Sequence, residues 1–227
     1  MARLKSKRLE RYAESGQLQK EENMNDRMIS IIGAFDRNGV FGIGEHLPWS
    51  GPDGRSLIRM DMGRFVQATR DTVFGKGKQN VLVIGRGSMD AMGWRPLPRR
   101  HTIVLSQTIN QKEANEKVPE GKRVWVARNA AQALETALSI TDCGHVFFGG
   151  GETVWLEALK SGLCNRAFIT MIECDTVAAS EHKGTVRKLP EMLLDETFEG
   201  MQVEHIRLDD TWGDREVMLD FRNYEKA

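Results

Sequence analysis

An acidic residue in an apolar setting is the first candidate for chemistry. Residues 56–69 read SLIRMDMGRFVQAT. The spacing predicts a helix, because Leu57, Ile58, Met62 and Phe65 recur at three- and four-residue intervals and define one apolar stripe. Asp61 falls inside that stripe, four residues after Leu57 and four before Phe65. An ionised carboxylate against an apolar wall is costly unless it is paired or protonated. Carboxyl groups so placed usually have a raised pKa and a partner, and they gather at functional sites. The plainer alternative is a partly exposed acid at the edge of the stripe, or one arm of a structural ion pair.

Four loops carry further signals. The stretch Gly42-Ile43-Gly44-Glu45-His46-Leu47-Pro48-Trp49 can bend sharply and still present apolar surface, which suits a lid that closes over a ligand and excludes water. Its Gly-x-Gly does not complete a dinucleotide fingerprint, and an ordinary turn with Trp49 in the core is the competing reading. Ile84-Gly85-Arg86-Gly87-Ser88-Met89 runs from a strand into a helix, where open N–H groups, a guanidinium and a hydroxyl could hold a phosphate. Phe148-Gly149-Gly150-Gly151-Glu152 is a second such junction, whose glycines allow close approach of backbone to a ligand. Two junctions of this kind can hold both ends of a dinucleotide, although Glu152 disfavours a free phosphate beside it. In Arg95-Pro96-Leu97-Pro98-Arg99-Arg100 the prolines fix the backbone, and a rigidly held arginine suits a carboxylate ligand.

The elements that must position these groups alternate. Strand-like apolar runs occur at 28–35, 81–84, 102–105, 124–126, 146–148 and 167–172. Helical patterns lie between several of them, at 56–69, 87–92, 130–140 behind an Asn129 N-cap, and 152–160. The alternation predicts an α/β fold with a mostly parallel central sheet and helices on both faces. Runs at 201–208 and 215–221, separated by a polar turn, predict an antiparallel C-terminal hairpin at one sheet edge.

The composition is that of a chain burying a real core: 227 residues, 40% hydrophobic and 28% charged. Lys+Arg and Asp+Glu both count 32, so net charge gives no reason to expect nucleic acid or an anionic membrane as partner. No uninterrupted apolar stretch reaches the length of a membrane span. Cys143, Cys164 and Cys174 match no zinc pattern and read as reduced thiols of a cytoplasmic protein. The five histidines are scattered, and no metal site is expected. Residues 1–27 are polar and charge-rich, with neither a signal-peptide core nor the acid-poor character of a transit peptide. They read as a flexible or helical extension, and the domain is expected to span 28–227.

Taken in order, the strand MISIIGAF, the lid GIGEHLPW, the acid and aromatic in DMGRF, then VIGRGSM, RPLPRRHTIVLS and FFGGGE resemble dihydrofolate reductases from Met28 to the C-terminal hairpin. The resemblance implies NADPH-dependent reduction of 7,8-dihydrofolate by a monomer that also binds antifolates. Asp61 matches the carboxylate that promotes pterin protonation, and Thr170 the threonine that supports it. Leu47 and Trp49 belong to the mobile lid. Met62, Phe65, Met92 and Leu97 would line the pterin and benzoyl pocket, with Ile32 and Phe148 at its floor. Arg100 matches the arginine that binds the glutamate carboxylate of folate. For NADPH the matching positions are Ala34, Ile43, Gly85, Arg86, Ser88, Ser106 and Gly149, Gly150 and Gly151, with a cis peptide implied between Gly149 and Gly150.

The chain departs from the family's pattern in places. Glu152 stands where some relatives carry arginine, Val154 or Trp155 where a tyrosine is common, and Gly87 beside Arg86. Residues 72–80 are long, and 173–190 align poorly. Two other readings are a pyrimidine reductase of riboflavin synthesis, which shares the fold, and a nucleotide-binding module without turnover. Trp49, the Asp61-to-Phe65 spacing and RPLPRR favour folate over the former; Asp61 and Thr170 speak against the latter.

Overall fold

The computed structural model describes residues 28–72, 74–189 and 202–225. The first apolar run folds as β1 (Ile29–Asp36). Ile29, Ile31 and Phe35 enter one apolar cluster and Ile32 another, so both faces of the strand are covered. Two-sided burial is the reason the run is apolar throughout rather than alternating.

The chain continues through β2 (Val40–Ile43), α1 (Arg59–Arg70), β3 (Gln79–Gly85), α2 (Arg86–Ala91), β4 (Arg100–Leu105) and α3 (Gln111–Lys117). It then forms β5 (Trp125–Ala127), α4 (Ala130–Ser139), β6 (Cys143–Phe148), α5 (Glu152–Ser161) and β7 (Arg166–Ile172). The last elements are α6 (Thr176–Ala179), β8 (Val186–Lys188), β9 (Gln202–Trp212) and β10 (Arg215–Glu225). Eight strands make one sheet in the order β5-β4-β3-β6-β1-β7-β10-β9. The first six are parallel, and the β9–β10 hairpin adds antiparallel strands beside β7. Strands β2 and β8 pair separately. This is the α/β arrangement expected of the alternating pattern.

Helices α4 and α5 pack one face of the sheet through Ala133, Leu134, Ala137, Ala158 and Leu159. Phe65 of α1, Met89 of α2 and Ala114 of α3 pack the other. A third cluster joins Trp49 and Ile58 to Ile172, Leu219 and Phe221 at the hairpin end. Among the described residues no helix is long and apolar enough to cross a membrane.

Several boundaries differ from the sequence reading. Helix α1 begins at Arg59, not at 56, because Leu57 N–H donates to Trp49 O at 2.9 Å and Ile58 stays extended as the N-cap. Leu57 is therefore exposed and off the helix, while Ile58 is fully buried. The hairpin strands run through the expected polar turn, which shrinks to two residues at Gly213 (φ 62°) and Asp214. Strand β2, strand β8 and helices α3 and α6 were not anticipated; α3 carries a legible capping box, Asn110 with Glu113. The N-terminal extension, Val73 and Met201 lie outside the described residues.

Candidate active site

Two acids are buried beside β1, and their surroundings separate them. Asp36 is saturated: its carboxylate accepts from the N–H groups of Asn38, Val40 and Thr176 and from the Thr176 hydroxyl. It clamps the β1–β2 turn to α6 and has no capacity left for chemistry. Asp61 sits in the first turn of α1, only 7% exposed, with the Thr170 side chain as its hydrogen-bond partner. Burial pushes its carboxyl above the ordinary 3.8, Thr170 and the charge of Arg64 pull back, and Asp210 adds to the rise.

Thr170 is placed by sheet register. It lies on β7 opposite Ala34 of β1 and Phe221 of β10, so the three side chains share the face that α1 crosses. Arg64, one helical turn after Asp61, crosses the same row. Its Nη1 donates to Ile169 O at 2.9 Å and to Thr170 Oγ1 at 3.1 Å, and its Nη2 donates to Asn223 Oδ1. Its Cζ stands 4.5 Å from the centroid of the Phe221 ring. Burial lowers the Arg64 pKa to about 10, against the pull of Asp61, Asp220 and Glu204. The sequence reading did not single out Arg64, although an acid and an arginine three apart on one helix are a legible pair.

Asp61 opens onto a cavity of about 180 Å³ with a mostly apolar lining. Ile32, Ala34, Leu47, Trp49, Met62, Phe65, Gly149 and Thr170 all reach it, so most of the expected catalytic and pterin-pocket residues share one space. Trp49 is fully buried, and its Nε1–H has no partner among the described residues. Phe148 does not reach the cavity: strand alternation turns it to the opposite face from Ile32, against α4 and α5. Trp155, not singled out for the pocket, lines it instead, and Val154 packs beneath Gly85. Met92 and Leu97 pack against the Ile32 and Phe65 cluster outside this cavity.

Arg100 is buried at the far end of α1. It donates through Nε to Pro98 O at 3.3 Å and through Nη1 to Thr69 Oγ1, and it forms no ion pair among the described residues. Burial lowers its pKa, and Arg70 and Arg99 add to the effect. A larger cavity of about 570 Å³ lies under Leu97 to His101 near Trp125; it is polar and contains neither Asp61 nor the glycine junction.

The loop expected to act as a lid, residues 42–49, is braced by part of the 173–190 segment. Gly44 N–H donates to Thr185 O at 2.9 Å, and His182 Nε2 lies 2.8 Å from Ser50 O. The rings of His46 and His182 stack at 4.4 Å. Ile43 is buried on β2 under this brace.

On the other side of the cavity the two glycine junctions meet, with Gly85 N–H donating to Gly150 O at 2.8 Å. Ser88 and Gly151 face one another across the gap; a β-carbon on Gly151 would meet nothing nearer than Ser88 Oγ at 4.0 Å. Arg86 donates to Thr108 Oγ1 at 2.9 Å, and Ser106 Oγ lies 3.4 Å from the same hydroxyl. Arg128, also unanticipated, donates to Ser106 O and Ile109 O at 2.7 Å. The cis peptide is Gly150–Gly151, one residue later than expected. Gly149 is still in the sheet, its N–H donating to Val83 O at 2.8 Å, so the chain turns only from Gly150.

The sequence matches the dihydrofolate reductase family over residues 28–225, from β1 through β10. The chain belongs to the dihydrofolate reductase family. It is 29% identical over 155 residues to the dihydrofolate reductase of Aedes albopictus, covering 66% of this chain and 77% of that one. The dihydrofolate reductase of Drosophila melanogaster is 31% identical over 154 residues, covering 65% and 77%. A bifunctional dihydrofolate reductase-thymidylate synthase of Paramecium tetraurelia is 24% identical over 153 residues, covering 66% of this chain and 27% of that protein.

Membership makes the chain an enzyme of dihydrofolate reduction with a small-molecule substrate, and the family implies a nicotinamide cofactor. A dihydrofolate reductase needs a heterocycle pocket and a dinucleotide cleft that open onto each other. Gly149, the residue after β6, and Ala34 of β1 both line the cavity onto which Asp61 opens.

Proposed function

We propose that the chain reduces 7,8-dihydrofolate to 5,6,7,8-tetrahydrofolate with NADPH, and that Asp61 promotes protonation of the pterin. One observation carries the reading: a carboxylate with capacity to spare is buried in an apolar cavity that also reaches the triple-glycine junction. A flat heterocycle wedged between Ile32, Phe65 and Phe168 would meet that carboxylate at its polar edge. The imine nitrogen that accepts hydride must also gain a proton. Asp61 favours the protonated ring by its charge, and the apolar wall strengthens that attraction. The Trp49 indole N–H, unpartnered among the described residues, is suited to hold a water beside the acid. Leu47 of the lid closes the cavity against bulk solvent.

The residues present fit NADPH. Helix α5 has Gly151 as its N-cap and no side-chain cap, so no side chain competes with a diphosphate for the N–H groups at its start. Gly87 is open, with nothing within 4 Å of a built β-carbon. Arg86, Ser88 and Ser106 supply a cation and two hydroxyls, and Arg128 adds a second cation of the kind that favours a 2′-phosphate. Glu152, in the first turn of α5, moves the phosphate load toward Arg86 and Ser88. When bound, NADPH supplies the hydride. Arg100, buried and without an acidic partner among the described residues, is the candidate for the glutamate carboxylate of the substrate.

The test is absorbance at 340 nm with dihydrofolate and NADPH, repeated with NADH and with the aminopyrimidine ribose phosphate of riboflavin synthesis. Oxidation with dihydrofolate alone, faster with NADPH, is the expected outcome. Turnover of the ribose phosphate only would transfer the chain to the other reductase class.

A further inference from the structure

One charged side chain at the site has no part in that scheme. Arg64 is no solvated arginine: its guanidinium is hydrogen-bonded to Ile169 O, Thr170 Oγ1 and Asn223 Oδ1 and lies over the Phe221 ring. Asn223 is fixed in turn, its Nδ2 donating to Glu204 Oε2 at 3.0 Å. The consequence falls on Thr170. A threonine hydroxyl has one proton and two lone pairs, and a guanidinium can only donate. With Arg64 Nη1 on a lone pair of Oγ1, the hydroxyl proton is left to point at its other partner, Asp61. Arg64 thus orients the hydrogen bond that Asp61 receives, and its charge lies one helical turn from the carboxylate.

We propose that Arg64 is a positioning residue for the reduction, holding the Asp61 carboxylate in register through the Thr170 hydroxyl. This rests on Asp61 being the group that faces the pterin. The charges around the pair come from three elements. Asp61 and Arg64 stand on α1; Asp220 and Arg222 lie on β10; Glu204, His205 and Asp210 lie on β9. Arg222 and His205 are bonded to Asp220, so neither is the neutralising partner of Asp61. Among these groups Arg64 is the cation that acts on Asp61.

The signs follow. Removing a cation beside a carboxylate and a protonated ring makes both easier to protonate. The two titrate as a couple, so the high-pH limb of the hydride-transfer rate should move to higher pH. The rate at its plateau should fall, because the acid is no longer held in register.

The experiment is a carboxyl ¹³C titration of Asp61 in the ligand-free protein, its resonance assigned with Asp61→Asn. The proteins are the parent, Arg64→Met, Arg64→Lys, Thr170→Val and the Arg64→Met/Thr170→Val double variant. It is paired with the pH profile of single-turnover hydride transfer. The expected result is an upward midpoint in Arg64→Met, partial rescue in Arg64→Lys, and a double-variant shift smaller than the sum of the two singles. The hydride-transfer plateau should fall roughly 10-fold to 10²-fold, the cost of a catalytic group displaced by about an ångström, with KM for NADPH unchanged. A lower melting temperature with the Asp61 midpoint and pH profile of the parent would make Arg64 a bolt between helix and sheet, and overturn the proposal. Should Arg64→Met fail to fold, parent-like midpoints in both Arg64→Lys and Thr170→Val would overturn it equally. If the shifts occur but the parent itself does not oxidise NADPH with dihydrofolate, the coupling stands and the functional reading is what fails.

Discussion

Trp155 donates from Nε1 to the carbonyl oxygen of Ile32 at 3.0 Å, and its ring reaches that oxygen through a slot left by two glycines. A β-carbon on Gly33 would lie 2.8 Å from Trp155 Cζ2, and one on Gly150 would lie 2.6 Å from the same atom. The indole therefore closes one wall of the cavity while satisfying a carbonyl at the mouth of the sheet. Gly33→Ala should displace it and destabilise the fold by about 1–3 kcal/mol, as overpacking does. Urea unfolding of the variant measures the loss; unchanged stability would mean that the ring has room to retreat.

Asp61→Asn tests both chemistry and stability. Turnover should fall about 10²–10⁴-fold at neutral pH and least at low pH, where the substrate is already protonated. Because the folded-state pKa is raised, the unfolded chain ionises first as pH climbs past 3.8, and native stability drops until the buried group ionises too. Asp61→Asn should thus melt above the parent at pH 7, with the difference closing as pH falls below 3.8. A variant as active as the parent at pH 8 removes Asp61 from the mechanism.

His145 carries the opposite pH dependence. It is buried, bonded to Ser30 Oγ at 2.7 Å and stacked on Phe147. Burial, and secondarily Arg166, push its pKa from 6.5 down to about 3. Below pH 6.5 the unfolded chain takes a proton that the native state refuses, so stability is lost as pH falls from 6.5 toward about 3. Urea titrations at pH 7.5 and 4.5 should show this loss in the parent and a smaller one in His145→Gln. Equal losses would assign acid sensitivity elsewhere.

Arg100→Leu should weaken dihydrofolate binding about 10- to 100-fold, the worth of a charge-assisted hydrogen-bond pair, and leave NADPH affinity nearly unchanged. Quenching of tryptophan fluorescence on titration with each ligand separates the two. The reverse pattern would place Arg100 on the cofactor side.

His182→Ala should loosen the lid without touching the acid, because the imidazole bonds Ser50 and stacks on His46. Faster amide exchange over residues 44–50, with the Asp61 titration unmoved, is the expected signature. Parent-like exchange would mean that the Gly44–Thr185 bond alone braces the loop.

What the sequence by itself determined is local and periodic. The apolar runs of β1, β3, β4, β6 and β7, the Asn129 cap and the two glycine junctions are written in residue type and short-range spacing, because strand and helix periods and turn chemistry act over a few residues. Asp61 stood out for the same reason, as a charge at an apolar period. Tertiary structure alone decided who meets whom. Register across β1, β7 and β10 set Thr170 between Ala34 and Phe221, and so let Arg64 beside Asp61 bond both Thr170 and Asn223, the latter 159 residues away. Strand alternation turned Phe148 away from the cavity, and the missing β-carbons of Gly33 and Gly150 let Trp155 in. No periodicity encodes such meetings: they depend on how faces pack across the sheet, and packing is a property of the whole chain.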